Sequence, residues 1–263
     1  MIIVTGATGR LGRQVVEELL EHVPARPGRD FTGPATLDHA FEGADQLLLV
    51  SAAIRPAGRR ARAAVDAAVR AGASRVLYTS HQAASPDSEF SPARQHAATE
   101  KYLAEQNIPY TALRHGFYTS TFEHYVPAAL KTGQFRLPAD GPVSWTAHAD
   151  LVAADVAALT KPGLFDGATP PLTAPDLLDF ADVADILSSL TGRATKRVVV
   201  ADEEWKAAVV AQGMPEAAAE FTLGMFRAAR AGEFAVTDPA LEDLLGRPAI
   251  PVRTVLEDLL RSR

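Results

Sequence analysis

Cysteine is absent from all 263 residues. That excludes disulfides, thiolate nucleophiles and sulfur-ligated metals together, and it leaves the redox compartment unspecified. Long apolar runs are missing as well, since none approaches the roughly 20 residues that a bilayer-spanning helix needs. Met1-Ile2-Ile3-Val4-Thr5-Gly6 enters a strand pattern at once, so no signal peptide is expected and the cytoplasm is the expected compartment. Positive charge is in deficit, with 26 Lys and Arg against 32 Asp and Glu and a net charge of -6. That balance argues against nucleic acid as a partner, and the missing apolar spans argue against a membrane. Metal-ligand spacing is lacking too. The 7 histidines are scattered, and no His-x-x-x-His pair shares a helix with a carboxylate. What remains is globular composition, 47% hydrophobic and 22% charged, and it suits a chain that handles a small molecule.

Periodicity then gives the organisation. Short β-branched or apolar runs at Ile2–Thr5, Gln46–Val50, Arg75–Thr79 and Pro109–Leu113 predict buried strands. Between them, helical spacing covers Gln14–Glu21, Gly58–Ala71 and Ser91–Gln106, with Gly72 closing the second. Alternation at this pace predicts an α/β fold, a Rossmann-type doubly wound parallel sheet. After Arg114 the rhythm changes to helices at Thr119–Lys131, Asp150–Leu159 and Asp179–Leu190, with short strands at Val143–Thr146 and Lys196–Val200. The tail from Asp202 is mostly helical, broken at Gly213-Met214-Pro215 and at Asp238-Pro239. We therefore expect a dinucleotide-binding core over 1–116 and a smaller, mostly helical substrate-side region over 117–263, whose strands are free to return to the same sheet.

Thr5-Gly6-Ala7-Thr8-Gly9-Arg10-Leu11-Gly12 lies between the first strand and the first helix. A tight turn needs a residue without Cβ, and a pyrophosphate must approach bare backbone. The helix start then offers N–H groups and partial positive charge to the phosphates. Gly6, Thr8, Gly9, Arg10, Leu11 and Gly12 are the expected cofactor contacts here.

The run TGATGRLG resembles the opening of atypical short-chain dehydrogenase/reductases of the NmrA-like group. That group includes bacterial NAD(P)H:quinone oxidoreductases, isoflavone-reductase-like enzymes and redox-sensing regulators. Asp30-Phe31 with Pro34, Leu37, Ala40-Phe41 and Gly43 is similar to the segment leading into the group's fourth strand. His96-Ala97-Ala98-Thr99-Glu100 with Ile108-Pro109-Tyr110-Thr111-Ala112-Leu113-Arg114 is similar to its fifth-helix and sixth-strand signature, and Leu245-Gly246-Arg247-Pro248 to its closing motif. The resemblance implies an NADP(H) cofactor ahead of NAD(H), bound also by Ser51, Ser80, Gly116 and Phe117 at the ends of later strands.

One departure stands out. Only the eight residues His22 to Arg29 separate the first helix from Asp30, where a strand–helix–strand unit would take roughly 20 to 25. That unit normally reads the adenosine ribose. Its two prolines, Pro24 and Pro27, argue against a good central strand. Cofactor preference is therefore expected to be weak.

No Tyr-x-x-x-Lys pair follows Tyr78-Thr79-Ser80, so the usual proton-transfer pair of short-chain dehydrogenases is missing. A quinone reductase can do without it, because its quinol oxygens can take protons from water. Tyr118 and His81 are the candidate substrate-side residues, each at a strand's carboxyl end. His96 and Glu100 share a helix face and can pair, either as a proton relay or with Glu100 anchoring the helix to backbone. Asp150 and Asp155 read as capping or surface residues, and Arg59-Arg60-Ala61-Arg62 as a solvated helix face. The expected function is an NAD(P)H-dependent reductase of a quinone or similar flat carbonyl compound. The rivals are a redox-sensing dinucleotide-binding regulator without turnover and a secondary-metabolism enzyme using the fold for non-redox chemistry. The expected partner is an aromatic or quinone-like small molecule, with a homodimer as the assembly to look for.

Overall fold

The computed structural model describes residues 1–22, 25–27, 40–50 and 57–262. The first strand, Ile2–Val4 (β1), is wholly buried, as its three β-branched residues predict. Helix Arg10–Leu19 (α1) follows and buries Leu11, Val15, Val16 and Leu19 along one face. Then come Ala25–Pro27 (β2), Gln46–Leu49 (β3), Ala57–Arg70 (α2), Arg75–His81 (β4), Ser91–Ala104 (α3) and Tyr110–His115 (β5). These strands and Gly167–Ala168 (β9) form one parallel sheet in the order β2-β1-β3-β4-β5-β9. The α/β, doubly wound expectation holds.

The strand direction of assembly reverses at β1, which pairs with β2 on one side and β3 on the other. In open α/β sheets that reversal opens the ligand crevice at the carboxyl ends. Both faces of the sheet are covered. Val4, Leu48, Leu77 and Leu113 pack toward α1 and helix His148–Thr160 (α5), whereas Ile3, Leu47, Val76 and Tyr78 pack toward α2 and α3.

β2 corrects the reading of the short segment. A strand does form at Ala25–Pro27, ending at one of the two prolines and lying at the sheet's edge among the described residues, in register with β1 from Ile2↔Ala25 to Val4↔Pro27. An edge position tolerates the missing N–H of Pro27, because among the described residues one side of the strand has no ladder to complete. The residues at 28–39, which include Asp30, Phe31, Pro34 and Leu37, lie outside the described residues.

Beyond Gly116 the chain makes Phe117–Tyr118 (β6), helix Phe122–Thr132 (α4), Gln134–Pro138 (β7) and Trp145–Thr146 (β8). The expected strand at Val143–Thr146 shortens because Val143 bridges to Leu178 instead. Lys196–Val200 (β10) pairs with β7, which periodicity did not reveal, in a separate two-stranded sheet. Helices Phe180–Thr191 (α6), Asp202–Ala211 (α7), Glu216–Arg230 (α8), Ala240–Leu245 (α9) and Val252–Arg261 (α10) complete this region around an aromatic core of Phe122, Phe135, Trp145, Phe180 and Phe226. The chain also comes back to the first region. α5 packs beside α1, and β9 extends the main sheet next to β5. Arg75 pins this return, donating to Ala158 O (3.0 Å), Thr111 Oγ1 (2.7 Å) and Phe165 O (3.3 Å).

Candidate active site

The glycine turn leaves β1 with Gly6 at φ +61°, the left-handed region. A Cβ on Gly12 would sit 2.5 Å from Gly6 O, so only glycine lets α1 start this close to the turn. Gly9 caps α1 without a side-chain hydrogen bond. The first N–H groups of the helix therefore face an approach path of bare backbone, which suits a phosphate. Thr8, Gly9 and Arg10 are exposed there, whereas the Leu11 side chain points into the core. Arg10 makes a two-point ion pair with Glu123 of α4 (2.6 and 2.7 Å). Thr5 ties the turn to the end of β3, its Oγ1 accepting from Val50 N at 2.9 Å. Ser51 lies outside the described residues.

A cavity of about 240 Å³ opens at the carboxyl ends of β4 and β5. Its walls include Ser80, His81, His96, His115, Gly116, Phe117 and Tyr118, with Phe90 and Thr121. The structure thus brings together five of the expected site residues, from Ser80 to Tyr118. They fill different roles. The Ser80 hydroxyl donates to Glu100 (2.6 Å), and Glu100 also receives Arg114 at two points (3.0 and 2.7 Å). Phe117 belongs mostly to the aromatic core, with its ring 4.9 Å from Phe234 and 5.3 Å from Trp145. Gly116 has a packing reason of its own, since a Cβ there would meet Thr146 Oγ1 at 2.1 Å.

Two expectations need correction. His96 and Glu100 do not bond each other. His96 Nδ1 instead meets the Tyr78 hydroxyl at 2.7 Å, and Glu100 anchors α3 through the Ser80 and Arg114 side chains rather than through backbone. Asp150 and Asp155 are fully buried, not at the surface. Asp150 accepts from Ile250 N (2.7 Å) and pairs with Arg247 (2.7 Å), which fastens the closing Leu245–Pro248 segment. Asp155 pairs with His115 at 2.8 Å.

The pairing of His115 with Asp155 is what sequence reasoning overlooked. The signal was there: a single carboxylate inside the apolar run Leu151–Leu159, and a histidine ending a buried strand. Two buried polar groups on neighbouring elements usually find each other, because each would be costly alone. On its other edge, His115 Nδ1 lies 3.4 Å from the Tyr118 hydroxyl. The Tyr118 ring packs against His148 at 4.5 Å. Burial raises the Tyr118 phenol above its ordinary pKa, and the nearby Asp155 and Tyr78 push it the same way. It stays protonated.

His81 is fixed by a different logic. Ala83 N–H donates to its Nδ1 at 3.1 Å, which places the proton of a neutral ring on Nε2. Burial lowers its pKa to about 3, helped by His96 and His115, so the ring is neutral at ordinary pH. Burial also lowers His96 to about 4 and His148 to about 4.

A parallel sheet with a phosphate-type glycine turn at its reversal, and a cavity at the carboxyl ends of the next strands, defines a Rossmann-type dinucleotide-binding protein. Comparison with known proteins narrows this. The NmrA-like family model matches residues 28–249, and the chain belongs to that family. It is 30% identical to quinone oxidoreductase 2 of Escherichia coli K12, over 94% of this chain and 94% of that protein. It is 29% identical to an NAD(P)H azoreductase of Xenophilus azovorans, over 95% of this chain and 94% of that one. The solved NADPH complex of an NADPH-dependent quinone oxidoreductase from Escherichia coli superposes with a TM-score of 0.92 at 27% identity, covering 99% of this chain and 100% of that chain.

Proposed function

We propose that the protein is an NAD(P)H-dependent reductase of a quinone or similar flat, conjugated compound, with NADP(H) as its cofactor. The observation that carries this reading is the cradle at Gly6 and Gly12, where a Cβ on Gly12 would collide with the turn and one on Gly6 would crowd Val50, set beside the cavity of His81 and Tyr118. The names of the quinone oxidoreductase and azoreductase relatives support the same reading. The backbone of Gly9 to Gly12 would hold the pyrophosphate, with Thr8 and Arg10 at its rim and Ser80, Gly116 and Phe117 along the path toward the cavity. A reduced nicotinamide supplies a hydride when bound. The chain's own residues orient the acceptor. Phe90 and Phe117 give apolar walls, and His81 offers a neutral ring whose proton is on Nε2.

Among the described residues no helix is long and apolar enough to cross a membrane. The test is direct. NADPH is added to the purified protein while tryptophan fluorescence is followed, and 1,4-benzoquinone is then supplied while absorbance at the nicotinamide band is read. Quenching followed by quinone-dependent oxidation is expected. Quenching without oxidation would favour the regulatory reading, and no quenching at all would overturn dinucleotide binding.

A further inference from the structure

We propose that Tyr118 is the proton donor to the reduced substrate, and that His115 and Asp155 behind it form a relay that restores its proton. The proposal rests on the reductase reading and deepens it.

Three observations carry it. First, the side chains form an unbroken line from the cavity inward, from Tyr118 hydroxyl to His115 Nδ1 (3.4 Å) and from His115 Nε2 to Asp155 Oδ1 (2.8 Å). The first of these contacts is long for a hydrogen bond, as catalytic contacts often are before substrate is present. Second, both inner members are sealed from solvent, at 1% and 0% side-chain exposure. Asp155 Oδ2 has no partner among the described residues, so the carboxylate answers to His115 alone. A buried carboxylate so placed holds an imidazole in one orientation. Third, only the outer member, Tyr118, combines a hydroxyl with a place in the wall of the cavity.

The step balances as follows. A hydride from the reduced nicotinamide forms a C–H bond on the conjugated ring, and the displaced electron pair settles on a carbonyl oxygen. That oxygen takes the Tyr118 proton as the phenolic O–H bond breaks. The Tyr118 oxygen takes the proton of His115 Nδ1, which leaves the imidazole neutral with Nε2–H still on Asp155. The nicotinamide is oxidised by two electrons and the acceptor is reduced by two; before the next turnover a proton from water in the cavity enters at the Tyr118 hydroxyl, which passes its own proton to His115 Nδ1.

The experiment compares wild type, Tyr118→Phe, His115→Gln and the double variant, with NADPH and 1,4-benzoquinone. Folding is checked by circular dichroism and NADPH binding by tryptophan quenching. We expect Tyr118→Phe to lower kcat about a hundredfold or more with KM changed less than about threefold, the scale of a lost general acid. His115→Gln should lower kcat at least about tenfold, and the double variant should be no worse than Tyr118→Phe, because members of one relay are lost together. A Tyr118→Phe kcat within about threefold of wild type overturns the relay, and so do losses that multiply in the double variant. If His115→Gln does not fold, Asp155→Asn is read by the same criteria, and Tyr118→Phe alone still decides the donor. An inactive wild type overturns the reductase reading itself, an outcome distinct from an active wild type indifferent to Tyr118.

Discussion

Single atoms decide much at this site. The carbonyl oxygen of Gly6 lies 2.5 Å from where a Cβ on Gly12 would stand, and 3.2 Å from one on Gly9. Gly9→Asp therefore crowds the turn only slightly, but it sets a negative charge beside the expected pyrophosphate. NADPH affinity should fall by about tenfold or more in a folded protein, as read by fluorescence titration. Unchanged binding would remove the turn from the cofactor site. Gly116 tests a different constraint. Its missing Cβ makes room for Thr146 Oγ1, which accepts from Ala174 N at 3.0 Å. Gly116→Ala should cost about 1–3 kcal/mol in urea unfolding, as overpacking does. It should also lower kcat by shifting Tyr118, two residues on. A variant as stable as wild type would mean that Thr146 moves freely, against its hydrogen bonds.

Elements were legible where periodicity was strong. β10 was read to the residue, and the two tail breaks fell where Pro215 and Pro239 precede helices α8 and α9. β7 and β9 were not legible. Gln134–Pro138 alternates Phe and Leu with exposed polar residues next to a helix end, and Gly167–Ala168 is too short to carry a period. β2, an edge strand among the described residues, escaped for a sharper reason, since proline counts against a central strand but not against a margin. At the site, the expected wall residues were found because strand ends are predictable. The His115–Asp155 pair was not, because it joins β5 to α5 across 40 residues and no local spacing records that distance. The short link after α1 bears on cofactor choice. With so little chain to read a ribose 2′ position, discrimination between NADPH and NADH should stay under about a hundredfold, or about 2.7 kcal/mol. Parallel Kd measurements check this, and a larger ratio would place a dedicated reader within 28–39.

For the whole molecule, three partly buried histidines set the response to acid. Folding holds His81 near pKa 3 and His96 and His148 near 4, below the ordinary value of 6.5. An unfolded chain then binds more protons than the native one wherever pH lies between those limits, so stability rises with pH across the window. Their neutral burial is without proton-linked cost above about pH 6.5, and stability is lost progressively as pH falls from there toward 4 and below. Melting temperature should therefore drop clearly between pH 7 and pH 5. His148→Phe, which keeps a ring beside Tyr118, should flatten that slope if it folds. A melting temperature that is level over this range would contradict the burial of these rings.

The return of the chain to its first sheet also sets an order of events during synthesis. The guanidinium of Arg75 emerges early, yet two of its acceptors, Ala158 O and Phe165 O, come more than 80 residues later. Until they leave the ribosome, β4 carries a cation at its base with only Thr111 to receive it once β5 has formed. The helix lying on α1 and the outer strand β9 come from the same late stretch of chain, 148–168, so a nascent chain stopped near residue 116 would hold a sheet with one edge open and one face partly bare. Such a species is prone to stick to its neighbours. The first region is thus not a module that can be made ahead of the second, and its glycine turn gains a settled backing only when α5 has docked.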